Sequence, residues 1–244
     1  MRFLAFATRN RKEILRDPLN LVFGIGFPVI LILLIALLKK SIQGMPAELF
    51  PIQSFAPGMA VFGLSFISLF LGVLIASDRS SSFLMRVFAS PLSGADYIIG
   101  YSLPLLPVAL FQSAVCFITA FFFGLPVNIN IVLAIIVLIP VGALFISFGL
   151  IMGSLLSYKQ VGGISSVIIN LAQWLSGTWF DLKMIGGIFK TVCYTLPFAH
   201  AVDSVKAAIA GDYGSILPHL LWVIGYTIVL YFIAVIIFRK KMKE

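Results

Sequence analysis

Charge is what this sequence has least of. Asp, Glu, Lys and Arg make up 11% of its 244 residues, against roughly 25% in soluble domains. With 61% hydrophobic residues and a mean hydropathy of +1.11, the chain cannot cover its apolar surface with polar groups, so its solvent is lipid. Between Asp96 and Lys159 there is no charged residue at all. The chain also lacks G-x-x-x-x-G-K-[ST], which excludes nucleotide binding by a P-loop. It has no H-E-x-x-H and no G-x-S-x-G. Its two histidines, His200 and His219, stand far apart with no ligand cluster around them. These absences argue against an enzyme and predict that the chain itself holds no metal and no cofactor. Two cysteines, Cys116 and Cys193, cannot make a disulfide framework and are expected as free thiols. About 18 mixed residues precede the first apolar run, and no small-residue cleavage site follows it, so no cleavable signal peptide is expected.

What is present is a series of apolar runs. The sequence predicts an all-α integral membrane protein with a single transmembrane domain over 1–244. Six spans are expected at about 19–38, 55–76, 98–123, 131–156, 161–180 and 216–238, each near the roughly 20 residues a bilayer requires. As one helix, the charge-free run from Tyr97 to Tyr158 would be about 93 Å long, so it must turn, and GLPVNIN at 124–130 is the place. Pro104 and Pro107 should kink the third span. Gly149 and Gly153 form a small-xxx-small pair in the fourth, read as packing within the chain. Residues 181–215 alternate short apolar pieces with charges, which suits re-entrant or surface-lying outer helices covered by protein. Within them His200, Asp203 and Lys206 share one helical face, read as solvated.

The net charge of +8 is concentrated at the two ends of the chain. Beside apolar spans, that pattern marks membrane orientation and anionic headgroups rather than nucleic acid. Six spans put both termini on one side. That side collects twelve Lys and Arg and the other five, which predicts both termini in the cytoplasm. Residues 1–17 read as an amphipathic interface helix. Arg2, Arg9, Lys12, Glu13 and Arg16 lie on one face and Phe3, Leu4, Phe6, Ala7, Ile14 and Leu15 on the other, with Arg11 breaking the pattern.

The run DRSSSFLMRVFASPLSGADYIIG, Asp78 to Gly100, is the one interior stretch that mixes charge, hydroxyls and apolar residues. It follows span two on the side of the termini. Ser80 to Ser82 offer N-cap hydroxyls for a short helix over about 80–90. Phe83, Leu84, Val87 and Phe88 make its apolar face, and Arg79 and Arg86 its basic side. Ser90-Pro91 ends it. From periodicity alone this is either a docking helix or an amphipathic loop on headgroups.

The same stretch resembles the loop after span two in permease subunits of the type-2 family of ATP-binding-cassette exporters, which reads like E-R-E-x-G-T-L-E-R-L-x-x-S-P-L-S with a Tyr and a Gly shortly after. Asp78, Arg79, Leu84, Arg86, Ser90, Pro91, Leu92, Ser93, Tyr97 and Gly100 fit. Ser80, Ser82, Phe83 and Met85 depart from it, which bears on the acidic contacts and not on the presence of the element. The resemblance runs over the whole chain, and LPFAHAVDSVKAAIAGD at 196–212 is similar to the family's outer segment before its last span.

The resemblance implies a permease that pairs with a second copy or a paralogous permease and binds two copies of a separate ATPase subunit. ATP and magnesium are held by that partner. Asp78, Arg79, Ser82, Phe83, Leu84, Arg86, Val87, Phe88, Ser90 and Pro91 would form the coupling element. It also implies the cytoplasmic membrane of a bacterial or archaeal cell. The absence of fixed charge in the spans points to a hydrophobic or amphipathic cargo, such as a drug, an antibiotic or an antimicrobial peptide. Export of a cell-surface glycan or lipid-linked polymer by the same architecture is the alternative, and an ATP-independent secondary transporter or channel is the rival from another class. Asn170, Gln173 and Trp174, at i, i+3 and i+4, share a face of span five, read either as pathway lining or as interhelical hydrogen bonding.

Overall fold

The computed structural model describes residues 2–18, 22–42, 50–81, 83 and 93–241. Within them the protein is all-helical, with no strand. The helices are α1 (Arg2–Arg16), α2 (Phe27–Ser41), α3 (Ile52–Ser80), α4 (Gly94–Ser102), α5 (Leu105–Phe121), α6 (Asn130–Leu155), α7 (Tyr158–Leu175), α8 (Leu182–Ile185), α9 (Gly187–Thr195), α10 (Pro197–Ala210) and α11 (Tyr213–Lys241). A π-helical turn, Val22–Gly26, leads into α2. Gly24, Gly26 and Pro28 loosen the backbone here, so the start of the first span widens its turn.

Five stretches are long and apolar enough to cross a membrane: Val22–Ser41, Ile52–Ser80, Gly94–Phe121, Asn130–Leu155 and Tyr213–Lys240. The protein is therefore a multi-pass membrane protein. α4 and α5 form one of these stretches, broken at Leu103–Pro104, where proline removes a donor and clashes with the preceding turn. α7 falls short on composition, since Lys159, Gln160, Asn170 and Gln173 dilute its apolar residues. It still packs along α3 at two levels. Val161 lies against Gly72, and a Cβ on Gly58 would collide with Thr178 just beyond the end of α7. Gly177, with φ 71°, ends α7 short of the expected boundary at 180.

α3 is the axis of the bundle. Of its most apolar stretch 78% is buried, against 22% for the first span and 17% for α11. Its closest neighbour is α6, and glycine permits that approach. A Cβ on Gly149 would lie 2.9 Å from Leu71 Cβ and from Ser68 O, and one on Gly153 would lie 2.7 Å from Ile75 Cβ. The small-xxx-small pair thus packs inside the chain, as the sequence suggested. Several hydroxyls along the buried helix faces turn back on their own helices. Ser65 donates to Phe62 O, Ser68 to Ser65 O, Ser113 to Ala109 O, Ser147 to Leu144 O and Ser204 to Ala201 O.

The alternation of the long helices defines two ends. Arg16, Ser80, Gly94, Leu155 and Lys241 belong to one, called the α1 end; Ile52, Phe121, Asn130 and α8 to α10 belong to the far end. Two expectations fail at the far end. α10 is no solvated surface helix: His200 is buried, and Asp203 and Lys206 are half-buried, because α9 folds over it and hands Tyr194 Oη to Asp203 as a donor at 2.6 Å. The two histidines are not far apart either. Their Nδ1 atoms lie 2.8 Å from one another, because α10 and α11 form a hairpin at Gly211, whose φ of 75° suits glycine.

Candidate functional site

The α1 end gathers the polar residues that the spans exclude. Helix α1 forms because its apolar residues recur with a helical period, and it docks because part of that face meets protein rather than lipid. Phe6, Ala7, Asn10 and Ile14 are buried, while Leu4 and Leu15 remain exposed. Phe6 enters an aromatic socket, edge-on to Tyr101 at 4.8 Å and to Tyr97 at 5.4 Å, and stacked with Phe83 at 6.4 Å. Such pairs contribute about 0.5–1.5 kcal/mol each beyond area burial. Gly100 makes the socket possible, since a Cβ there would strike the Phe6 ring. Asn10, fully buried, donates from Nδ2 to Gly100 O at 3.1 Å.

Arg9 reaches sideways from α1 to the end of α3. Its Nη1 donates to Asp78 Oδ2 at 2.6 Å and its Nη2 to Asp78 Oδ1 at 2.7 Å. This two-pronged geometry is the strong form of the arginine–carboxylate pair. Nη1 also donates to Asn10 Oδ1 at 3.0 Å, and the guanidinium lies over the Phe83 ring at 4.3 Å. Tyr101 Oη donates to Asp78 Oδ2 at 2.8 Å. The Asp78 side chain is only 4% exposed and that of Arg9 33%. Burial alone would lower the Arg9 affinity for its proton, but the hydrogen bonds and charge of Asp78 outweigh it and raise the value. The Arg9 guanidinium therefore keeps its charge.

The neighbouring Arg79 points the other way. Its Nη1 donates to Gly153 O at 2.9 Å, Ser154 O at 2.7 Å and Leu156 O at 3.2 Å. These carbonyls have no partner within a helix end, and a cation suits that end. Asp78 and Arg79 thus tie α3 to α1 and α4 on one side and to the α6–α7 turn on the other. That turn is fixed by Ser157 and Gln160, whose side chains cap the start of α7 reciprocally.

Of the expected coupling residues, Asp78 and Phe83 join the Arg9 cluster, and Arg79 binds the α6–α7 turn on the other side. Ser82, Leu84, Arg86, Val87, Phe88, Ser90 and Pro91 lie outside the described residues. The hydroxyls of Ser80 and Ser81 donate back to Ser77 O and Asp78 O, because the end of α3 extends to Ser80 and leaves carbonyls there to satisfy. Sequence reasoning missed Arg9 as the partner of Asp78, and it missed the role of Asp96. Asp96 forms a capping box with Ser93 at the start of α4, a role that the S-x-x-D spacing could have revealed.

Of the interface-helix residues, Arg2 opens α1, and Lys12, Glu13 and Arg16 are exposed. On α7 the expected trio divides. Asn170 and Trp174 are exposed; Gln173 turns inward and is buried, and among the described residues its Nε2 has no hydrogen-bond partner. Asn170 donates to Ser166 O at 2.8 Å. Among the described residues no group of three or more His, Cys, Asp or Glu is placed to hold a metal ion.

No curated protein matches the chain. The family model described as ABC-2 type transporter matches residues 1–210, from α1 to the last residue of α10. An amphipathic first helix, apolar membrane-crossing helices and a charged cluster at the end of the second of them all fall within that match, and the chain belongs to the ABC-2 type transporter family, as a membrane permease.

Proposed function

We propose that this permease is the transmembrane subunit of an ATP-driven exporter. It acts as a dimer, with a second copy or a paralogous permease, on two copies of a separate ATPase that holds ATP and magnesium. The observation that carries this reading is the cluster of Arg9, Asp78 and Tyr101. It secures a basic helix to the end of the central span, where the chain enters the stretch 82–92. A push received by that stretch, or by α1, reaches α3 through a buried ion pair and passes to the α6–α7 turn through Arg79. Nucleotide-driven closure of the ATPase pair would bias two arrangements of the spans.

In this reading α7 is the fifth of six spans, packed along α3 as described above, and both termini are cytoplasmic, in agreement with the excess of Lys and Arg at the α1 end. Its exposed stripe of Gly163, Ser166, Asn170 and Trp174 is more polar than lipid favours, and a pathway or a second permease is a better neighbour for it. The cargo is a hydrophobic or amphipathic compound. A mild-detergent pull-down of the tagged protein from its host membranes should bring down a P-loop ATPase. Replacing Phe83, Leu84 and Val87 with Asp should abolish that association while insertion continues. Recovery of the chain alone, under conditions that keep other membrane complexes intact, overturns the reading.

A further inference from the structure

At the far end, two imidazoles from different helices face each other through Nδ1 atoms 2.8 Å apart, His200 on α10 and His219 on α11. Only one of two facing nitrogens can carry the hydrogen. The other nitrogen of His200 decides which. Its Nε2 lies 2.9 Å from Tyr194 O, and a carbonyl only accepts, so Nε2 bears the hydrogen. Neutral His200 therefore presents a bare Nδ1, and His219 donates Nδ1–H to it. The assignment follows from the hydrogen-bond partners, as it must for imidazoles.

The pair is walled in. His200 is 7% exposed. It lies flat on Trp222 at 5.1 Å and 5°, and edge-on to Tyr194 at 5.4 Å. Trp222 stacks on Tyr226 at 6.1 Å, and Tyr226 donates to Thr195 O at 2.7 Å. The end of α9, the start of α10 and the first turns of α11 thus converge on the two rings.

We propose that His200 and His219 form a proton-binding site that clasps α10 to α11 while it holds no proton or one, and lets go when it takes a second. One proton placed on His219 Nε2 leaves the Nδ1–H bond in position and makes its donor cationic, which strengthens it. The second can enter only at His200 Nδ1. Two N–H groups and two positive charges would then meet at 2.8 Å, an arrangement that like-charge repulsion disfavours.

The surroundings fix the direction of the effect. On its own helix His200 has Asp203, which is hydrogen-bonded by Tyr194 Oη and lies 3.9 Å from Lys206. From α9 come Tyr194 and Cys193, and ahead of α8 stands Asp181. From α11 come His219 and Tyr226, and from α6 the rings of Phe145 and Phe148, which stack on Phe198. Burial lowers the His200 affinity for a proton and the charge of His219 adds to this, against the opposing pull of the Tyr194 carbonyl and Asp203. Burial, then the hydrogen bond and charge of Asp203, push the Tyr194 hydroxyl up, so it stays a donor.

This site goes beyond the transport reading and stands without it, because its test reads structure rather than export. The full chain in lipid nanodiscs is followed by hydrogen exchange at about pH 7.5 and about pH 4.5, with labelling times scaled to equal intrinsic exchange. Segments over 194–202 and 216–226 should exchange about tenfold faster at the acidic pH, with α6 unchanged. His200→Gln can still donate to Tyr194 O and accept from His219, so it should remain protected at both pH values. His219→Gln removes the second cation, and its amide can turn its oxygen to accept from a protonated His200, so it too should stay protected in acid. Equal protection of the native chain at both pH values overturns the proposal, as does an acid loss in His200→Gln as large as the native one. Should His200→Gln be unprotected throughout, His219→Gln decides: protection kept in acid supports the site, and an acid loss as large as the native one overturns it.

Discussion

At the α1 end a carboxylate, a guanidinium and a phenol lie within 2.8 Å of their partners; at the far end two imidazoles and a carbonyl lie within 2.9 Å of theirs. Both groups join separate helices, and each contains a buried side chain, Asp78 in one and His200 in the other. They differ in what a proton can do to them. A guanidinium does not deprotonate in proteins, so Arg9 offers Asp78 its donors whatever the pH. An imidazole pair changes its hydrogen bond with each proton it gains. One end of the bundle is therefore held through a fixed cation, and the other through a hydrogen bond between two groups that can gain protons.

The comparison can be broken first at Asp78. Asp78→Ala strands Arg9 and leaves Tyr101 without its acceptor. Breaking a buried pair costs about 3–5 kcal/mol, with the lower figure apt here because Arg9 is partly exposed. Thermal unfolding of the purified protein in detergent measures the loss. The paired change Asp78→Leu with Arg9→Met should recover most of it, because no charge is then left unpaired. Arg79→Met comes next. It strands the carbonyls at the end of α6, at about 1.5–3 kcal/mol for bonds to a charged group. The same melts would record it, together with faster exchange at the α6–α7 turn. Asp78→Ala should leave that turn intact if the two arginines act independently.

Acid sharpens the contrast at smaller amplitude. His200 has a lowered value when folded, so the stability of its neutral, bonded form is complete above the ordinary value of 6.5. It is lost as the pH falls through the lowered value. Melting curves from about pH 8 to pH 5 should show a decline that His200→Gln abolishes, while Asp78→Ala leaves the slope unchanged. The smallest effect is expected at Asn170. Its side chain is exposed and bonds only within α7, so Asn170→Leu should leave stability within about 0.5 kcal/mol of the native value. If α7 faces the pathway, vesicle export should nonetheless change. A melt shifted by several degrees would show that Asn170 is structural.

Much of this was legible in the chain. The apolar runs gave five stretches their positions, because the lipid requirement acts on every residue of a span. Asp78 and Arg79 stood out as the charges ending span two. Their partners did not. Arg9 is 69 positions from Asp78, and the carbonyls that hold Arg79 have no side-chain signature. The burial of His200 was equally hidden. Local periodicity gives α10 a polar face, and only the folding of α9 and α11 over that face shows that water does not reach it. Asn170, Gln173 and Trp174 share a face by spacing, yet α3, α6 and α10 cover one edge of it and leave the other open.

The serines of the buried helix faces have a consequence for motion. A hydroxyl bonded to a carbonyl of its own helix travels with that helix and grips nothing next door. When α3 and α6 slide against each other, Ser65, Ser68 and Ser147 keep their bonds throughout. Resistance then comes from the interlocking of side chains at Gly149 and Gly153, a surface that can slip by small steps without exposing a donor to lipid. Along these serines the contact between α3 and α6 carries no side-chain hydrogen bond from one helix to the other.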